Sequence, residues 1–348
     1  MAYVYTMFDT STDGGDIITD VEEIQTAPIW SGNEGTLSRF YTGSSTGQTS
    51  GSTSWQHQLY IFNENPEASS SAAVQFSIAY GHYAGSGSLD YDNTSKPGAS
   101  PSRAVYGQYA NLLLPDGTDL FTIGSGSTDD IIAININRAR FKEQLDPGNW
   151  QLNLDANGVL DMDALHLIDS SDSAVSSINE AGRIYDVVSG SITNGPLGTS
   201  DDMIYGKVYV DQGIIVLHPG RISDRTTYSN GVGANTIEDN NISFLNALTG
   251  SANLATPKFT ARNKEVVKST HYFVRVKNNA YNYTDNPTFV TGSDSTLRYA
   301  DMKTNPSVYI TTIGLYDNAD NCLAIAKLSK PLLKTFAREA LIKVKLEY

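Results

Sequence analysis

Apolar and polar residues alternate with a period of two along much of this chain, the spacing of strands that bury one face. Val74, Phe76, Ile78 and Tyr80 share a face of residues 74–80. Residues 341–348 alternate strictly, with Ile342, Val344, Leu346 and Tyr348 facing one way and Lys343, Lys345 and Glu347 the other. The same reading predicts strands at residues 55–63, 131–136, 150–154, 159–167, 183–191, 204–209, 214–217, 271–276, 308–315 and 322–328. Asn157-Gly158 marks a hairpin between the two strands that flank it, residues 63–71 join another, and residues 317–321 close a third. One helix is expected over residues 102–114, with Ser102 as its cap, Val105, Tyr109 and Leu112 on a shared face, and Pro115 as its stop. A short helical turn at residues 138–144 runs into the turn sequence Asp146-Pro147-Gly148.

Two stretches lack any period. Residues 1–54 are polar and irregular, ending in a Gly/Ser/Thr-rich run, and are expected to form an N-terminal arm, either flexible or ordered only against a partner. Residues 220–263 read as a long loop or insertion with one helical turn near residues 243–248. The expected layout is therefore an arm at 1–54, a β-rich core at 55–219, the loop at 220–263 and a C-terminal β module at 264–348. The fold class is mainly β, with β-sandwich-like modules, a few short helices and long loops.

Composition sharpens this picture. Twenty tyrosines and 29 glycines in 348 residues favour short strands and frequent turns. The net charge of −14 argues against a chain that coats nucleic acid or an anionic membrane. That charge is uneven along the sequence: residues 258–348 hold 14 Lys/Arg and 8 Asp/Glu, a net of +6, which leaves −20 on the rest. Cys322 is the single cysteine, so no internal disulfide can form; its place in a strand predicts a buried structural thiol. No apolar run approaches the roughly 20 residues that span a bilayer, and Met1 to Tyr5 does not open a secretory signal. Synthesis in a cytoplasm without membrane insertion is the expectation.

Candidate chemistry is sparse. Gly43-Ser44-Ser45-Thr46-Gly47 matches a hydrolase elbow in letters, but it lies in low-complexity polar sequence and not between a strand and a helix. The histidines at 57, 82, 166, 218 and 271 show no metal-binding spacing. Residues 155–163 offer oxygen ligands, yet glycine stands fourth and His166 twelfth, so a hairpin tip is preferred to a calcium loop. Gly124-Ser125-Gly126 precedes a strand and not a helix, which removes the phosphate-cradle reading. No catalytic residue, cofactor or metal is expected.

Four segments are more distinctive: Ser102 to Tyr109 with Asp146-Pro147-Gly148-Asn149-Trp150; His271 to Asn278; Asn286-Pro287-Thr288-Phe289; and Tyr309 to Asp317 with Leu323 to Pro331. Together they resemble a family of virion structural proteins from large contractile-tailed bacteriophages, notably those of marine cyanobacteria. The likeness covers most of residues 55–348. Ile313-Gly314-Leu315-Tyr316 with Asp317 is also similar, more loosely, to the attachment module of tail-collar fibre proteins.

The resemblance implies a non-enzymatic assembly protein of the baseplate or another tail-associated ring. Its partners would be other virion structural proteins and further copies of itself, with assembly in the host cytoplasm. Asp146, Pro147, Gly148, Trp150, Ile313, Gly314, Leu315 and Tyr316 would be structural motif residues. An acidic body and a basic C-terminal module could supply the two unlike surfaces that a head-to-tail ring needs. The expected interface residues are Arg275, Lys277, Tyr281, Tyr283, Lys327, Lys330, Lys343 and Lys345. Two other readings are a receptor- or glycan-binding module on the virion, and a virion-associated polysaccharide hydrolase, which would need two carboxylates in one cleft.

Overall fold

The computed structural model describes residues 6–10, 15–31, 35–42, 58–86, 101–156, 164–172, 176–198, 200–230, 237–250, 258–282, 287–291 and 296–347. It is mainly β, with 50% strand and 16% helix. The chain divides into two compact units, residues 25–265 and residues 1–24 with 266–348. Strand β1 (Ile17–Pro28) opens the described secondary structure inside the stretch expected to be an irregular arm. Its acidic, poorly alternating sequence hides it from a periodicity search. Pairing with a neighbouring strand, and not an apolar face of its own, holds it extended.

The larger unit is built on one curled antiparallel sheet. In chain order its main elements are β2 (Leu59–Phe62), β3 (Val74–His82), helix α1 (Pro101–Leu113), β4 (Asp130–Ile136), β5 (Gln151–Asp155), β6 (Ala164–Asp169), β7 (Gly182–Ser191), β8 (Ile204–Tyr209), β9 (Ile214–Leu217) and helix α2 (Ile237–Thr249). The spatial order runs β5-β6-β7-β8-β9-β4-β3-β2, and short strands extend both ends. The hairpin expected around Asn157-Gly158 pairs Leu152 with Leu167 and Asp155 with Ala164, while its tip lies outside the described residues.

Both faces of the central strands are covered. Phe76, Ile78, Ile132, Ile134, Leu217 and Trp150 bury on one side with Phe244, Ala247 and Leu248 of α2. Ala79, Ile131, Ala133 and Val216 bury on the other against Tyr106, Tyr109, Ala110 and Leu113 of α1. That explains the near-continuous apolar run of β4, since a strand covered on both sides has no solvent face to alternate with. Tyr106 is anchored at both ends of its hydroxyl: it donates to the Thr128 carbonyl at 2.8 Å and accepts from the Phe121 amide at 3.0 Å. Burial pushes its pKa up to about 12.

Three expectations change here. Helix α1 begins at Pro101, so Ser102 sits in its first turn and donates to the Ser86 carbonyl at 2.7 Å instead of capping. Leu112 is exposed, and Tyr106, Tyr109 and Leu113 form the buried stripe. Residues 237–249, expected to be loop with one turn, form a full helix whose Phe244, Ala247 and Leu248 are core; the Asn-rich start masked its period.

The smaller unit pairs β1, β10 (Arg262–Val276) and β13 (Ala340–Glu347) with β10 in the centre. The β10–β13 register runs from Ser269 opposite Glu347 to Val276 opposite Ala340. A separate ribbon, β11 (Ser307–Tyr316) and β12 (Cys322–Thr335), lays Ile313 and Leu315 on Val344, with Tyr272, Val274 and Ile342 around them. The result is a small sandwich of two strands over three. Among the described residues no helix is long and apolar enough to cross a membrane.

Candidate interaction surface

The β11–β12 ribbon has two unlike faces. Ile313, Leu315, Ala324 and Ala326 point inward to the sandwich core. Among the outward residues, Tyr309 is 66% exposed, Leu323 68% and Ile325 63%, and the polar pair Thr312 and Lys327 stands between Ile325 and Tyr309. Tyr309 stands opposite Leu333, and Gly314 opposite Ile325. A side chain at Gly314 would meet the Tyr316 ring, its Cβ falling 2.7 Å from Cε2. The glycine therefore lets that ring lie flat on the outer face beside Ile325, an aromatic cover over a bare strand position. Phe336, just past β12, is also half exposed. Several large apolar side chains exposed on one ribbon, whose backbone edges have no strand partner among the described residues, are the physical signature of a binding surface.

The ribbon keeps its shape from its turn and a bulge. Asp317 Oδ2 accepts from Asn321 Nδ2 at 2.9 Å and Oδ1 from the amides of Asn321 and Ala319, both at 2.8 Å; the Asn321 side chain first, then these amides, hold its carboxyl below the ordinary range. The register shifts between Ile310 and Thr312, where Leu328 to Pro331 bulge out of β12. Pro331 is tolerated at such a bulge because no ladder bond is required of it. Lys327 and Lys330 are exposed on this element. Lys334 instead turns inward and is buried, donating to the Asn278 carbonyl at 3.1 Å and to Asn282 Oδ1 at 2.5 Å.

The other expected interface residues scatter. Arg275 and Lys343 are exposed on the three-stranded sheet, and Lys277 is exposed just past the end of β10. Lys345 is engaged within the unit, 2.6 Å from Glu23 and 2.7 Å from Glu347, which raises its pKa. Tyr281 is exposed, has a positive φ of 54°, and shares a hydrogen bond of 2.8 Å with Thr6. Tyr283 lies outside the described residues. Cys322 corrects an expectation: it is exposed, because its strand belongs to a ribbon covered on one side only.

The Asp146-Pro147-Gly148 segment is a clamp inside the larger unit. Gly148 has a φ of +78°, and its amide donates to both carboxylate oxygens of Asp169, at 2.8 and 3.1 Å. Asn149 Nδ2 reaches Asp146 Oδ2 at 2.7 Å, and Trp150 is wholly buried directly after.

The remaining chemical leads resolve into structure. Residues 43–47 and His57 lie outside the described residues. Ser125 sits in a tight hairpin and donates to Asp201, which Arg221 also holds. His82 Nδ1 accepts from Ala84 N at 3.1 Å, His218 Nδ1 from Gly220 N at 3.2 Å, and His166 lies 2.6 Å from Asn153 Oδ1. Among the described residues no three His, Cys, Asp or Glu side chains gather to hold a metal ion.

The outer ribbon face is what sequence reasoning missed. Its signal was present: Leu315-Tyr316 and Leu323-Ala324-Ile325 are apolar at both strand parities, although the ribbon has only one inner face. No family model, curated protein or solved structure matches the chain.

Proposed function

We propose that this protein is a non-enzymatic virion subunit of a tailed phage, a baseplate or other tail-associated assembly protein that joins further copies of itself through the outer face of β11–β12. The apolar face with Tyr309, Leu323 and Ile325 more than half exposed is the observation that carries the reading. Burying one such side chain is worth about 1.5–3 kcal/mol, so a cluster left in water favours association. Charge points to the occupant. Lys327 and Lys330 flank the face, while residues 25–265 of a neighbouring copy carry a net charge of −12. Ribbon on one copy and acidic unit on the next are unlike surfaces, so the contact is head-to-tail and can close into a ring.

Two measurements test this. Antibody raised against the chain should label the tail of the phage that encodes it, and virions without tail label overturn the assembly role. In analytical ultracentrifugation the wild-type chain should self-associate and Ile325→Lys should sediment as a monomer of unchanged melting temperature. A variant that associates like wild type removes the ribbon face as the contact.

A further inference from the structure

A second surface, in the larger unit, is built differently from the ribbon. Strands β2, β3 and β4 are consecutive in the sheet, and their register places Tyr60 beside Ser77 and Ser77 beside Asn135. This row lies on the face opposite Phe76, Ile78 and Ile134, the face that α1 covers further along with Tyr106 and Tyr109. Where the helix cover ends, the row floors a cleft of about 670 Å³, with Gln108 and Tyr109 of α1 on one wall and Gln58, Arg138 and Gln212 around the rim. That volume lies within the usual range of small-molecule sites, roughly 300–1,000 Å³.

The lining is chemically selective. Gln58, Gln108, Asn135 and Gln212 are neutral amides, each able to donate and accept, while Ser77 and Tyr60 add hydroxyls. Among the described residues no Asp or Glu lines the cleft, so these offer no carboxylate to a metal ion and no carboxylate pair for glycoside hydrolysis. Arg138 is its one cation among the described residues, too little for a polyanion. Part of the set is already fixed: Gln58 Nε2 donates to Ser77 Oγ at 2.5 Å, and the Tyr60 hydroxyl donates to Gln58 Oε1 at 3.4 Å. The Tyr60 ring is 49% exposed and gives a flat apolar platform beside these groups. Adjacent hydroxyls that both donate and accept, on a ring with an apolar face, are what such a lining matches.

We infer that this cleft binds a neutral saccharide, with Tyr60 stacking on a sugar ring and Gln108 and Asn135 hydrogen-bonding its hydroxyls. The inference does not depend on the assembly role. The test is a glycan array carrying neutral, sialylated and sulfated oligosaccharides, followed by titration calorimetry with the best neutral hit. Tyr60→Ala and Gln108→Ala alter exposed side chains and should keep the wild-type melting temperature. Each should weaken binding about tenfold or more, the scale of a lost hydrogen bond or stacking contact. Absence of any neutral hit, binding confined to charged glycans, or undiminished affinity in both variants overturns the inference.

Discussion

Asn240 is wholly buried in α2, and neither atom of its amide has a hydrogen-bond partner among the described residues. The hydroxyls of Tyr80 and Tyr228 are also buried with no partner among the described residues. Leaving such a group unsatisfied costs about 1–3 kcal/mol. Asn240→Leu keeps the branching of the side chain and removes both polar atoms, so it should leave stability unchanged or raise it by about 1 kcal/mol. Urea denaturation reads this directly; a loss of similar size would show that the amide is bonded in solution. The histidines set a pH dependence. Burial lowers the pKa of His82, His166 and His218 below the ordinary 6.5, with Asp130 opposing part of the effect at His82 and His218. Below pH 6.5 the unfolded chain takes up protons that these folded sites resist. Their stability contribution is therefore complete above that pH and is lost as pH falls through the lowered folded values. The urea midpoint should drop between about pH 7.5 and 5.5, and His218→Asn, which keeps a capping acceptor, should flatten the drop. An unchanged midpoint would contradict the burial of these rings.

At the scale of elements, the two faces of one ribbon should behave in opposite ways. Leu315 packs inward on Val344, and Leu315→Ala should destabilise the smaller unit by about 2–4 kcal/mol. Ile325→Thr removes an exposed side chain and should stay within about 0.5 kcal/mol. Cys322, exposed and alone in the chain, accepts a fluorophore that reports unfolding locally; equal effects of the two substitutions would refute the assignment of faces. Much of this was legible beforehand. Strands β8 and β9 fall on the predicted residues because Ile204, Tyr205, Val208 and Tyr209 mark the first and an unbroken apolar run marks the second, each next to a turn. The inward set of β13, Ile342, Val344 and Leu346, followed from alternation alone. What escaped had no local signature. Strand β1 is held by its partner, and α2 opens on polar residues. Of the Tyr60-Ser77-Asn135 row, the hairpin that joins β2 to β3 was expected, but Asn135 lies far along the chain and only register sets it beside Ser77.

At the scale of the molecule, the charge asymmetry read along the chain is largely folded away. The six acidic residues of positions 1–24 belong to the same unit as the basic C-terminal stretch. Glu23 meets Lys345 at 2.6 Å and Glu22 lies 3.9 Å from Lys268. The smaller unit therefore sums to −2, against −12 for the larger, so polarity survives only as a difference of degree and as local cations on the ribbon. The same division predicts which piece of chain can stand alone. The larger unit is continuous, residues 25–265, and its core closes on itself: Trp30 donates to the Phe259 carbonyl at 3.1 Å and packs 4.9 Å from its ring. The smaller unit is assembled from both ends of the chain and cannot be cut out as one segment. A fragment of residues 25–265 should therefore be soluble, give a β-type circular dichroism spectrum and unfold cooperatively, as an independent core does. It should also retain saccharide binding and lose self-association, because the cleft lies within it and the ribbon does not. A fragment that aggregates or melts without a transition would mean that residues beyond it complete the core, and the two-unit division would fall with it.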